Sequence, residues 1–299
     1  MREQAGILNV DKPLGLTSHD VVNRIRRVAG TRRVGHGGTL DPLASGVLIV
    51  AVGVATRLLE YVTGQAKTYE AAVRLGQTSK TYDAEGELSP AQPEKVLELS
   101  AAAIEEALEQ LRGPIEQVPP MYSAVKRQGQ PLYELARQGV EVAREPRRVT
   151  IYELTLVAWQ PPDLQLLVRC SAGTYIRSLA HDLGQELETG AYLAGLRRTA
   201  VGPFTLDSAI PLEMLNAESF VASLQAADSA VSHLPRLDAS AEEAKRLRNG
   251  QPVSGGHIEM DAELARVYDP AGHFVGIVAA TDGHWQPRKI FNVMNSPYD

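Results

Sequence analysis

Residues 148–170 read RVTIYELTLVAWQPPDLQLLVRC. Two runs of β-branched, aromatic and aliphatic residues flank Gln160-Pro161-Pro162-Asp163, a pattern that predicts a β-hairpin. A hairpin is an antiparallel pair, and it sets the tone for the rest of the chain. GVLIVAVG at 46–53 is a continuous apolar run, as in a strand covered on both faces. GILNV at 6–10 and the weakly alternating Tyr69–Leu75 predict further strands. Between them, Thr17 or Ser18 caps a helix with Val21, Val22, Ile25 and Val28 on one face, and Gly30 stops it. Glu94–Leu111 predicts an acidic amphipathic helix closed by Gly113-Pro114, and Thr174–Leu187 another helix. Strands and helices do not alternate, and neighbouring strand pairs recur. The expected class is α+β, with a mixed, largely antiparallel central sheet flanked by helices, rather than a doubly wound sheet.

The texture changes near Asp228–Pro235, where Ser, His and Pro interrupt a helical stretch at 218–226. Beyond it come a short helix at Ala241–Arg248 and two short strands, ARVYD (265–269) and HFVGIVAA (273–280), around Pro270-Ala271-Gly272. The chain divides on this reading into residues 1–228 and a small, β-barrel-like module at 229–299.

The 299 residues, 44% of them hydrophobic and 22% charged, fit an ordinary globular protein. Cys170 is the single cysteine, so there is no intrachain disulfide and no cysteine zinc site, and a reducing, cytoplasmic compartment is expected. Neither a signal peptide nor an apolar run of about 18 residues is present, so no membrane partner is expected. Seven scattered histidines, with no HExxH or CxxC, predict no metal. The net charge of −6 is accounted for by residues 80–110, with eight carboxylates against Lys80 and Lys95. Elsewhere basic residues cluster at 24–33, 121–148 and 197–198. Local basic surface is what phosphate contacts require, whatever the overall charge.

Four segments carry candidate chemistry. RRVGHGGTLDPLASG (32–46) sets His36 and Asp41 among four glycines, which allow close backbone approach or positive φ. It lacks the lysine of a phosphate loop and the spacing of a dinucleotide fingerprint. Asp41-Pro42 by itself reads as a helix N-cap with proline following. CSAGTYIRS (170–178) places Tyr175 and Arg177 in the first turn of a helix. Lys67-Thr68-Tyr69 lies on a strand. Pro119-Pro120 forces an extended edge before Lys126-Arg127. Ser178, His181 and Asp182 share one helix and read as surface, and Cys170 reads as an inert core thiol.

Taken together, GILNVDKPLGLTSHDVV, RVGHGGTLDPLASGVLIVAVGVATRLL, KTYEAAVRLGQTSKTYDAEG, PPMYSAVKRQGQPLYELARQG and CSAGTYIRSLAHDLG resemble, in order, the bacterial TruB-type tRNA pseudouridine synthases. The resemblance covers nearly all of residues 6–204, and the tail is more loosely similar to a PUA RNA-binding module. It implies a pseudouridine synthase fold, a tRNA partner bound through its TΨC stem-loop, a monomer, and isomerisation of uridine 55 with no cofactor and no metal. It implies Asp41 as the catalytic aspartate, Arg177 as its paired arginine and Tyr69 as the tyrosine packed on the base and a candidate for moving the C5 proton. It further implies that His36 enters the RNA loop, that Tyr175 lines the pocket and that Lys12 lies near its floor. Arg197 and Arg198 are expected on the phosphate-binding face, with the acidic 80–110 segment turned away or at its edge. A flipped base costs a few kcal/mol of stacking, which an aromatic face such as that of Tyr69 returns. Two other functions compete: a non-catalytic RNA chaperone, and a phosphotransferase using the glycine-rich loop, which the missing lysine weakens.

Overall fold

A computed structural model describes residues 4–123, 126–127, 130–131, 136, 140, 142–254 and 262–291. In chain order the elements are β1 (Gly6–Lys12), α1 (Ser18–Ala29), β2 (Val34–His36), β3 (Ala44–Val52), α2 (Leu59–Thr63), β4 (Lys67–Leu75), α3 (Pro93–Leu97), α4 (Ala101–Gln110) and β5 (Gly113–Gln117). There follow β6 (Lys126–Arg127), β7 (Gln130–Pro131), β8 (Arg147–Gln160), β9 (Asp163–Cys170), α5 (Ile176–Glu186), β10 (Ala191–Val201), β11 (Phe204–Thr205), β12 (Ile210–Pro211) and α6 (Ala217–Ser223). The last are β13 (Arg236–Asp238), α7 (Ala241–Arg248), β14 (Val253–Ser254), β15 (Leu264–Tyr268), β16 (Phe274–Thr281) and β17 (His284–Ile290).

The large sheet runs β12-β1-β3-β10-β4-β9-β8-β5, with β2 on β3 and β11 on β10. Its pairs are antiparallel except β1–β12 and β3–β10, so it is the mixed, largely antiparallel sheet of an α+β fold. The hairpin at 147–170 forms as the sequence requires. Thr17 caps α1 through a reciprocal capping box with Asp20, and Gly30 ends it in the left-handed conformation.

From Gly46 onward β3 is apolar because it is buried on both faces. Leu48, Val50 and Val52 join one core with Val21, Ile25 and α5. Val47, Ile49 and Ala51 point the other way and join a second core. Its other members include Ile7, Leu58 and the aromatic residues Tyr268, Phe274 and Phe291 of the C-terminal part. The second sheet, β13-β15-β16-β17-β14, thus covers the back of β3.

Two elements differ from expectation. The helix expected at 94–111 is broken into α3 and α4, because Ser100 caps α4 by accepting from the Ala103 N–H and so starts a new helix. No helix begins at Asp41: the chain turns through Pro42 and Leu43, with the Ala44 N–H on the Asp41 carbonyl at 3.0 Å, straight into β3. The N-cap reading of Asp41 is therefore overturned.

Candidate active site

A cavity of about 430 Å³ opens on the front of the large sheet, walled by Asp41, Tyr69, Tyr175 and Arg177 together with Lys67 and Arg198. Strand geometry brings its floor together. On β4, Lys67 and Tyr69 are two apart and share a face. Tyr69 stands opposite Arg198 of β10, so all three side chains emerge on one side of the sheet. Tyr69 is buried, which pushes its hydroxyl pKa upward, while the adjacent Arg198 guanidinium opposes this.

Asp41 sits at the mouth, with 44% of its side chain exposed, and its Oδ2 lies 3.0 Å from a terminal nitrogen of Arg177. Arg177 is 7% exposed. The same guanidinium donates to the carboxylate of Asp83 at 3.1 Å and to the Tyr122 carbonyl at 2.9 Å. One rigid fork thus joins two carboxylates and a backbone oxygen. Asp83 is buried, and it accepts from the Thr81 hydroxyl at 2.5 Å and from the Glu85 N–H at 3.1 Å. Its loop docks on α5 where Tyr82 stacks on His181, ring centroids 4.0 Å apart, one helical turn beyond Arg177. Burial raises the Glu85 carboxyl pKa, and the nearby Asp83 and Asp41 add to the rise.

Tyr175 is the residue before α5. Its N–H donates to the Gln117 side chain at 2.9 Å, and the Gln117 amide donates back to its carbonyl at 3.1 Å, so β5 fixes where the helix starts. Ser178 donates to the Val118 carbonyl at 3.0 Å. Ser178, His181 and Asp182 are therefore buried or half-buried packing residues of α5 rather than the expected surface.

The structure relocates several expected site residues. Arg198 is 1% exposed and donates to the carbonyls of Val47 at 2.7 Å and Gly38 at 3.0 Å. It therefore holds the glycine-rich segment to β10 and cannot belong to a phosphate-binding surface. Gly46, at φ +100, permits a separate close approach of β3 to the β10 main chain, since a Cβ there would lie 2.1 Å from the Arg198 carbonyl. The close approach that these glycines permit is to protein. Arg197 points to the other side of the sheet and pairs with Asp11 at 3.0 Å. Lys12 is fully buried, outside the cavity wall, donating to the carbonyls of Pro13 at 3.0 Å and Leu16 at 2.6 Å. Burial lowers its pKa to about 8, and Asp41 pulls the other way. His36 is half-buried on β2, and burial lowers its pKa. Arg137 and the side chains of Lys126 and Arg127 lie outside the described residues. The acidic 80–110 segment is not turned away as a whole, because Asp83 reaches the site. Sequence reasoning missed Asp83: its partner is 94 residues away, and no spacing rule distinguishes it within an acidic run.

Residues 26–176 match the TruB family pseudouridylate synthase N-terminal domain, 177–239 the tRNA pseudouridylate synthase B C-terminal domain, and 234–292 the C-terminal domain of tRNA pseudouridine synthase II. The chain is similar in structure to a Cbf5 complex with Nop10 and Gar1 (TM-score 0.75, 27% identity, 95% of this chain and 84% of that one). It also shares its fold with an H/ACA ribonucleoprotein bound to a substrate RNA containing 2′-deoxyuridine (TM-score 0.74, 24% identity, 96% and 85% covered). Family and fold are those of an RNA-uridine isomerase of the pseudouridine synthase class. Proteins called tRNA pseudouridine synthase B are 44% identical over 298 residues in Dehalococcoides mccartyi (98% of both chains) and 45% over 295 in Thermobifida fusca (96% of this chain, 98% of that one). The chain belongs to the TruB family of tRNA pseudouridine synthases.

Proposed function

We propose that the cavity beside Asp41 is where this enzyme turns uridine 55 of tRNA into pseudouridine, with the TΨC stem-loop as the bound element. The observation that carries this reading is the ion pair between Asp41, at the mouth, and the buried Arg177. It offers a positioned carboxylate at the mouth of the cavity, where the ribose of a flipped nucleotide would lie. Arg177 positions Asp41, Tyr69 gives the base a flat face and is a candidate for moving the C5 proton, and Tyr175 closes the wall. His36 and Lys12 act from beside the cavity, His36 on the RNA loop and Lys12 beneath the turn that carries Asp41. No helix among the described residues is long and apolar enough to cross a membrane. On this reading the enzyme is a cytoplasmic monomer whose catalytic part spans 1–228, with residues 229–299 a PUA-like RNA-binding part. Asp41→Asn keeps size and shape and removes the charge. It is expected to abolish pseudouridine formation on unmodified tRNA, mapped without added cofactor, at an unchanged melting temperature. Near-normal turnover of this variant would refute the assignment.

A further inference from the structure

Two cations lie at the bottom of the cavity. Lys67 is 6% exposed and Arg198 1%. Among the described residues neither has an ion-pair partner: the Lys67 ammonium donates to the carbonyls of Thr63 at 2.5 Å and Gln65 at 2.6 Å, and Arg198 donates to main-chain carbonyls. Buried charges are ordinarily paired, because desolvation is costly. Here burial, with Arg198 adding to it, brings the Lys67 pKa down to about 8. An ammonium has three donors, so one N–H of Lys67 remains for whatever fills the cavity.

The reaction supplies a fitting occupant. When the bond between C1′ and N1 breaks, its electron pair leaves with the base, which becomes a uracil anion with charge spread over N1, O2 and O4. Rotation about the axis through N3 and C6 exchanges N1 with C5 and O2 with O4. C5 then bonds to C1′, the C5 proton is lost and N1 takes up a proton, so atoms and electrons balance. A donor set against a carbonyl oxygen meets O2 before the rotation and O4 after it.

Resting on the assignment of this cavity as the active site, we propose that Lys67 is a further catalytic residue, which donates to a carbonyl oxygen of the departing uracil anion while the fixed charge of Arg198 supports it. Preorganised charge of this kind acts where negative charge develops and needs no reorganisation during the reaction.

The test compares leaving groups. 5-Fluorouracil is the stronger N–H acid, so its anion needs less help. Single-turnover cleavage is measured for wild type, Lys67→Met and Lys67→Arg on a stem-loop carrying uridine or 5-fluorouridine at the target position. Lys67→Met is expected to slow uridine by about a hundredfold and 5-fluorouridine by roughly tenfold less, with Kd for the stem-loop unchanged and Lys67→Arg recovering much of the rate. Equal losses with both nucleosides would overturn the proposal, since a residue that only ties down the 63–65 loop cannot sense the leaving group. Should Lys67→Met fail to fold, Lys67→Gln carries the same comparison. Asp41→Asn run alongside keeps the two readings apart: an active Asp41→Asn overturns the site, whereas the Lys67 comparison bears on the leaving group alone.

Discussion

At the scale of single residues, the site is organised around Arg177, whose guanidinium serves Asp41 and Asp83 at once. A planar fork can hold two carboxylates in fixed directions; an ammonium cannot. Arg177→Lys is therefore expected to keep the charge and lose turnover by a large factor, with tRNA affinity little changed. Asp83→Asn tests the other end of the fork. It leaves Arg177 free to swing, and the expected outcome is a fall in kcat larger than any rise in KM, measured under steady-state conditions with tRNA. A change confined to KM would place Asp83 outside the positioning of Asp41. The Arg177–Asp41 half of this arrangement was legible in the sequence through the family resemblance. The Asp83 half was not, because a contact formed across the fold between a loop and a helix leaves no local pattern.

At the scale of elements, the strands were the legible part. The period-two burial of β4 and the two-sided burial of β3 are both written in their residues. The fate of Arg198 was not, since two adjacent arginines on a strand point to opposite faces and the sequence does not say which face is solvent. β10 settles it by pairing with β3 and β4, which turns Arg198 inward and Arg197 out. The helix break at Ser100 and the strand entry after Asp41 were lost for a related reason: Ser and Asp-Pro start helices or turns according to what packs on them. Arg198→Ala leaves the Val47 and Gly38 carbonyls without their donor and opens a void. It is expected to destabilise by about 2–4 kcal/mol, from unsatisfied buried acceptors and lost packing. Thermal unfolding checks this. An unchanged melting temperature with weakened tRNA binding would return Arg198 to the RNA surface.

At the scale of the whole molecule, the C-terminal sheet is bound to the back of the large one. Arg57 donates to the Ile290 carbonyl at 2.8 Å and lies 4.7 Å from the centre of the Phe291 ring, and Lys289 pairs with Glu60. With that side occupied, the proposed approach of RNA to the cavity is from the front, past the rim where β8 begins. Arg147 there pairs in register with Gln117, the residue that fixes Tyr175, and Arg147 and Arg148 are both exposed. Phosphate contacts at such a rim release counterions, so tRNA affinity should fall by roughly 0.7–0.9 log unit per log unit of salt for each phosphate neutralised. Arg147 shares the face of Gln117, so Arg147→Ala is expected to flatten the salt dependence by up to about one such contact, whereas Arg148, the next residue on the strand, points to the opposite face and Arg148→Ala is expected to change it little. Single-turnover chemistry at saturating tRNA should stay intact, because phosphate contacts position the RNA and do not act on the base. Arg197→Ala is expected to change the slope little, since Arg197 pairs with Asp11 across the sheet from the cavity. A slope unchanged by Arg147→Ala but flattened by Arg197→Ala would place the tRNA arm on the opposite face of the sheet.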